Sequence, residues 1–283
     1  MRRSLAELTE IGSNVSLECR GLTKSFGGVR AVDNLSAPFE VGKVTALVGP
    51  NGAGKTTLFH LITGALKADA GDALYRSQCL KGLPPWRISR LGIGRLFQDV
   101  RVFRRLSVME NLLVSFPDQL GEQPLLTLLA RPRVRRQEAE RRKQALDLLK
   151  LVDLEDYHNT PAEALSYGQQ KLLAIARLLA GGADVLLLDE PTAGVHPLLI
   201  ERLLKVIAGL AQEGRTVIVI EHNMSVVLQI ADWAYFMNEG RIVELGSPKE
   251  VLNDPEVRAT YLGLSSESDA PAAEAHQRGA EAL

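Results

Sequence analysis

Gly49-Pro50-Asn51-Gly52-Ala53-Gly54-Lys55-Thr56-Thr57 is the stretch on which the reading of this 283-residue chain turns. Gly49, Gly54, Lys55 and Thr56 fit G-x-x-x-x-G-K-[ST], the pattern of a loop that cradles phosphates. Before it, Val44 to Val48 is short, apolar and partly β-branched, as a buried strand is. After it, Leu58, Leu61, Ile62 and Ala65 recur at i, i+3, i+4 and i+7, one face of a helix. The loop thus joins a strand to a helix start, where unpaired N–H groups and the helix dipole both attract an anion. Its glycines are expected to let backbone approach phosphate oxygens that a Cβ would push away. Lys55 is placed to reach the β- and γ-phosphates, and the Thr56 hydroxyl to hold Mg2+. Pro50, Asn51, Gly52, Ala53 and Thr57 complete the expected binding set, so the stretch predicts a nucleoside triphosphate site.

A second constellation follows far along the chain. Val185-Leu186-Leu187-Leu188 is an apolar strand that delivers Asp189 and Glu190 at its carboxyl end, the edge where parallel sheets bind ligands. Asp189 suits Mg2+, directly or through water, and Glu190 suits a general base for an attacking water. Just upstream, Ser166 in Leu165-Ser166-Tyr167-Gly168-Gln169-Gln170 is a good N-cap, and Gly168 is expected to expose backbone N–H groups. That predicts a second anion-binding helix terminus.

Between and around these motifs strands alternate with helices, which implies a mainly parallel α/β sheet with both faces covered. Residues 1–14 read as a flexible arm. Val15, Leu17 and Cys19 alternate with Ser16 and Glu18 in a first half-buried strand, Phe26-Gly27-Gly28 is a turn, and Leu35 to Phe39 is an edge-like strand. Lys67 to Gly71 and the proline-bearing Leu80 to Trp86 read as loops. Gly94 to Phe97 is a strand ending at Gln98, and Ser107-Val108-Met109-Glu110 is a capping box that starts a helix toward Phe116. Leu125 to Ala130 is expected to be a short helix. Arg135 to Val152 is a clear one, its arginines balanced by Glu138 and Glu140 with a Glu138–Arg142 pair. Helices from Leu165, Leu198 and Met224 alternate with strands at Val185 and Val217. A hairpin across Asn238 to Arg241 and two short helices follow. After Leu264 the tail, rich in Ser, Ala, Glu and Asp, reads as disordered.

Composition narrows the partners. A net charge of −1 gives no overall pull toward nucleic acid or anionic lipid. The two cysteines lie far apart without a CxxC, which reads as reduced structural thiols of a cytosolic protein. No apolar run approaches the roughly 18 residues that a membrane span needs.

Taken together, these residues resemble the ATP-binding cassette (ABC) ATPases from about Val15 to Gly263. The resemblance implies a P-loop NTPase of α/β class, with a mainly parallel sheet, an antiparallel β portion and a helical subdomain inserted at about 98–165. It implies ATP and Mg2+ as cofactors. Leu165 to Gln169 matches the family signature LSGGQ, with Tyr167 in place of a glycine, so Ser166, Gly168 and Gln169 are expected to contact nucleotide. Gln98 matches the glutamine that senses Mg2+ and the attacking water, and His222 the switch histidine near the γ-phosphate. Phe26 matches the aromatic that stacks on adenine. The implied catalytic set is Glu190, His222 and Gln98, and the implied metal set Thr56, Gln98 and Asp189. One departure is His196, where the family usually has Asp or Asn. In a symmetric pair of chains, two such imidazoles are expected to meet and repel.

Within the family, Gly92 to Val114 and Pro255 to Gly263 resemble the cassettes of branched-chain amino-acid importers. Urea-importer and lipopolysaccharide-exporter cassettes share parts of the pattern. The implied partners are transmembrane permease subunits, a second and non-identical cassette, and indirectly a solute-binding protein, at the cytoplasmic face of the membrane. Val100, Val102 and Phe103, rimmed by Arg101, Arg104 and Arg105, are expected to supply the docking contacts. A soluble cassette acting on DNA or ribosomes is the rival class. Lys55 and Ser166 are too close for the long coiled coil of chromosome-type relatives, and there is one cassette where ribosome-associated relatives carry two.

Overall fold

The computed structural model describes residues 14–119 and 131–259. In chain order the strands and helices are β1 (Val15–Phe26), β2 (Val29–Glu40), β3 (Val44–Val48), α1 (Lys55–Ile62), β4 (Ala70–Tyr75), β5 (Gln78–Cys79), α2 (Pro85–Leu91) and β6 (Ile93–Leu96). The middle of the chain is helical, with α3 (Val108–Leu113), α4 (Arg131–Leu151) and α5 (Tyr167–Ala180). Alternation then resumes through β7 (Val185–Asp189), α6 (Pro197–Gln212), β8 (Thr216–Ile220) and α7 (Met224–Ile230), closing with β9 (Trp233–Asn238), β10 (Arg241–Gly246) and α8 (Pro248–Asn253).

These strands form two sheets. The larger has the order β10-β9-β3-β8-β7-β6, parallel except for the antiparallel edge strand β10. The smaller, antiparallel, has the order β2-β1-β4-β5. Every residue of β3, β7 and β8 is buried, which is why their sequences read as continuous apolar runs. The period of two still sorts their side chains. Val185, Leu187, Ile218 and Ile220 face a core shared with α1 and the antiparallel sheet. Leu186, Leu188, Val217 and Val219 face a second core shared with α3, α4, α5 and α6. The main sheet is therefore sandwiched, and its parallel strands all present their carboxyl ends along one edge.

Several local expectations need correction. The helix after the phosphate loop stops at Ile62, because Gly64 turns the chain at φ 69, so Ala65 lies beyond it. The strand expected at Leu35 to Phe39 is twelve residues long, since β1 and β2 form a bulged hairpin across Gly27 and Gly28. Gly71, read as loop, sits inside β4. A Cβ there would lie 2.2 Å from the Gly21 oxygen, so the residue marks a close approach of two backbones rather than a turn. Pro85, read as a breaker, starts α2 at a position whose N–H would be unpaired in any case. On α4 the ion pair that closes is Arg136–Glu140, at 3.0 Å, not Glu138–Arg142. Cys19 is buried but Cys79 is exposed, so only the first is a structural thiol. The expected N-terminal arm, the short helix at Leu125 to Ala130 and the tail after Leu264 lie outside the described residues, apart from Asn14.

Candidate nucleotide site

The order β3-β8-β7-β6 sets the site. The turn after β3 carries the phosphate loop, β6 leads to Gln98, β7 ends in Asp189 and runs into Glu190, and β8 is followed by Glu221 and His222. Residues far apart in sequence thus emerge side by side on one sheet edge, where ligands of parallel sheets bind.

In the phosphate loop the glycines are explained by the protein's own backbone. A Cβ at Gly49 (φ 148) would lie 2.0 Å from the Met237 oxygen, and one at Gly54 (φ 98) 2.0 Å from the Ala31 oxygen. At both positions the close approach of the protein's own backbone already requires a glycine. Gly52 (φ 81) alone of the loop's three glycines has open space at its Cβ. Lys55 is 6% exposed and lies at the first turn of α1. Its Nζ donates to the carbonyls of Gly49 (2.7 Å) and Pro50 (2.8 Å), which leaves one of its three protons for a phosphate oxygen. Burial pulls its pKa down, against the field of Glu190 and Asp189. Asn51, Gly52 and Thr56 are exposed at the loop, while Ala53 is buried in the core.

The three expected catalytic residues meet. His222 Nε2 lies 2.9 Å from Glu190 Oε1, and Gln98 Nε2 donates to Glu190 Oε2 at 3.2 Å. The Glu190 carboxylate is thereby held on both oxygens at the sheet edge. Its backbone is left-handed at φ 48, a region where a Cβ is costly.

Asp189 is 5% exposed and pairs with Arg95, Nη2 to Oδ2 at 2.8 Å. Arg95 was not among the expected site residues. Its guanidinium lies between the rings of Phe59 (5.5 Å) and Phe97 (4.9 Å), and its Nε and Nη1 are buried without a hydrogen-bond partner. An arginine inside the apolar strand Ile93-Gly94-Arg95-Leu96 was the available signal. Among the described residues no three His, Cys, Asp or Glu side chains cluster as a metal cage. Mg2+ takes one or two protein oxygens and keeps water and phosphate oxygens for the rest. Asp189 and the exposed Thr56 hydroxyl are such oxygens.

At the start of α5, Ser166 and Gln169 close the capping box. Ser166 Oγ accepts from the Gln169 N–H at 3.3 Å, and Gln169 Oε1 accepts from the Ser166 N–H at 2.9 Å. Gly168 is buried, and a Cβ there would lie 2.9 Å from Leu199 and 3.0 Å from Val195. Its missing Cβ lets α5 pack closely on the start of α6. Tyr167 donates its hydroxyl to the Gln98 carbonyl at 3.0 Å, tying this helix to the glutamine segment. Lys171 and Glu221, also unforeseen, are buried on either side of the loop after Glu190. The lysine donates to the carbonyls of Glu190 and Ala193, each at 2.8 Å, and the Glu221 carboxylate accepts from the Thr192 N–H (3.1 Å) and hydroxyl (2.7 Å). His196 caps α6, its Nδ1 accepting from the Leu198 N–H at 3.4 Å. Phe26 is half exposed at the hairpin tip beside its partner Val29, with Lys24 Nζ 5.6 Å from its ring. The same hairpin brings Ala31 against Gly54 of the phosphate loop.

A phosphate loop on one parallel strand with an acid pair on a near neighbour is the plan of P-loop nucleotide hydrolases, and this chain is of that class. Comparison narrows the class. The sequence profile of the ABC transporter family matches residues 32–193. High-affinity branched-chain amino acid transport ATP-binding protein LivG of Escherichia coli K12 is 40% identical over 248 residues, covering 87% of this chain and 97% of its own. Lipopolysaccharide export system ATP-binding protein LptB of the same organism is 33% identical over 250 residues, covering 88% and 97%. The ADP conformation of MJ1267, an ATP-binding cassette of an ABC transporter, superposes with a TM-score of 0.75 at 34% identity, covering 88% and 99%. The chain belongs to the ABC transporter family and is an ATP-binding cassette ATPase.

Proposed function

We propose that the chain is the ATP-hydrolysing subunit of an importer of branched-chain amino acids, placed at the cytoplasmic face of the membrane. The observation that carries the hydrolytic reading is the Glu190 carboxylate held between Gln98 Nε2 and His222 Nε2. Glu190 accepts the proton of the attacking water, while His222 and Gln98 fix the carboxylate and the water relative to it. Lys55 and the first N–H groups of α1 hold the phosphates, Phe26 stacks on adenine, and Ser166, Gly168 and Gln169 serve a nucleotide across a dimer interface. Thr56, Asp189 and Gln98 would hold Mg2+, which when bound would supply charge neutralisation for phosphoryl transfer.

No helix among the described residues is long and apolar enough to cross a membrane. The likeness to transport ATP-binding proteins supports separate permease chains as partners. A solute-binding protein delivers substrate to them. The 40% identity to LivG supports amino acids over the lipopolysaccharide of LptB, at 33%. Co-purifying the tagged chain with its membrane partners and reconstituting the complex in vesicles tests the assignment. ATP-dependent uptake of leucine, isoleucine and valine is expected. Uptake of urea alone, or extraction of lipopolysaccharide, would replace the amino-acid reading.

A further inference from the structure

Lys171 lies on α5 with its side chain fully buried, an ammonium that no step of ATP hydrolysis described above uses. Its Nζ donates to the backbone carbonyls of Glu190 and Ala193, each at 2.8 Å, and stands 5.2 Å from the centre of the Tyr167 ring. None of these partners is a carboxylate. Burial pulls the Lys171 pKa down to about 8, against the fields of Glu221 and Glu190. A buried ammonium hydrogen-bonded only to carbonyls here is a costly arrangement, and an apolar side chain of similar length would fill the same space without it.

The lysine acts where the backbone is least comfortable. Glu190 is in the left-handed region at φ 48, the only such non-glycine residue between Asp153 and Glu239. Its N–H donates to the Ile220 carbonyl at 3.0 Å, which docks it to β8. Its carbonyl points the other way, to Lys171. On the far side of the same loop, Glu221 takes both the N–H and the hydroxyl of Thr192. The loop from Glu190 to Gly194 is thus gripped by a buried cation on its carbonyls and a buried anion on its donors. That grip fixes the peptide from which the Glu190 side chain departs toward Gln98 and His222.

We infer that Lys171 is a positioning residue for Glu190, setting the left-handed peptide that aims the carboxylate. The inference rests on the proposed role of Glu190 as the base. It also ties the chain's own signature helix to its own Glu190, because Ser166, Tyr167 and Lys171 share the first turns of α5.

The test is ATP hydrolysis by Lys171→Met, read beside calorimetric ATP binding. A misaimed base is expected to lower kcat by about 10²-fold, with KM and the one-ATP-per-chain stoichiometry unchanged. Because the lysine works through the carboxylate, Lys171→Met added to Glu190→Gln is expected to cause no further loss in single-turnover assays. Wild-type kcat in Lys171→Met overturns the inference, as does an equal further loss in the Glu190→Gln background. A binding stoichiometry that falls in step with kcat also overturns it, since that reports unfolding. Lys171→Gln, which keeps one donor, is the second variant. It is expected to fold, bind one ATP and turn over at a rate between wild type and Glu190→Gln. Failure of both variants to fold would make the lysine purely structural and end the proposal. Normal turnover by Glu190→Gln alone would instead refute the role of Glu190, whatever Lys171 does.

Discussion

At the scale of residues, Lys55 divides its protons between shaping the loop and meeting a phosphate. Two are spent on the Gly49 and Pro50 carbonyls. Lys55→Ala removes the phosphate-directed charge and the loop's internal brace together. Calorimetry is expected to show ATP affinity reduced about 10- to 100-fold, the worth of a hydrogen bond to a charged group. Unchanged affinity would overturn the phosphate-loop assignment. Glu190→Gln is expected to act differently. It keeps the shape and binds ATP, but an amide cannot take a proton from water, so steady-state phosphate release should fall by about 10²- to 10⁴-fold. Normal release would remove Glu190 as the base. These residues were readable in the sequence because each belongs to a pattern with fixed spacing or to the end of an apolar strand. Arg95, Lys171 and Glu221 were not, because each is a single charge whose partner is a backbone group or a side chain far away in the chain. Their one local trace is a charge in an otherwise apolar row. Lys171 falls between Gly168 and Ile175 on the buried stripe of α5, where a lysine has no reason to be unless something polar waits.

At the scale of elements, the segment between β6 and α3 is braced from below. Asn111 is fully buried, accepts from the Phe103 N–H at 2.9 Å and donates to the Phe103 carbonyl at 3.0 Å. Val100 and Val102 are partly buried and pack against the core, so they offer only part of their surface to a partner. Phe103 alone of the three stays exposed, at 51%, with the Arg177 guanidinium 4.8 Å from its ring. A permease helix docking here would therefore meet one aromatic side chain amid Arg101, Arg104 and Arg105. Phe103→Asp is expected to abolish coupled uptake while basal ATPase activity continues. Surviving uptake would move the docking site elsewhere. A separate element contact contributes to acid stability. Hydrogen bonds from Arg241, and then from Arg30, hold the Asp33 carboxyl below its ordinary value. Its contribution is therefore complete above the unfolded value of about 3.9 and is lost as pH falls through the lower folded value. Asp33→Asn is expected to flatten that acid limb in urea titrations, and an unaltered limb would show that other carboxylates carry it. Elements with a strong period or a capping box were legible, as α3 and the three inner strands show. Strand β4 and helix α2 were not, since Gly71 and Pro85 carry the local marks of turns. Only the approach of β1 in one case, and the helix-start position in the other, gives those residues their meaning.

At the scale of the whole molecule, one chain carries two helix starts suited to phosphate, at Lys55 and at Ser166. On the proposed reading they serve different nucleotides, with two cassettes facing head to tail and ATP between them. The surface beside the second start fits such a face. Leu198, at the beginning of α6, is 83% exposed, and Gly194 and His196 are exposed next to it. The expectation that His196 disfavours a symmetric pair loses force here, because its Nδ1 is engaged in capping its own helix. A non-identical partner is the proposal that the resemblance to branched-chain amino-acid importer cassettes implies. Light scattering on purified Glu190→Gln with ATP, alone and with the membrane partners, decides the matter. The chain by itself is expected to remain monomeric and to pair only when a second, different cassette is supplied with the permease chains. A stable ATP-dependent homodimer would show the interface to be self-complementary. If the wild-type chain, with no other cassette present, also drove uptake in the reconstituted complex, the heterodimer would be excluded.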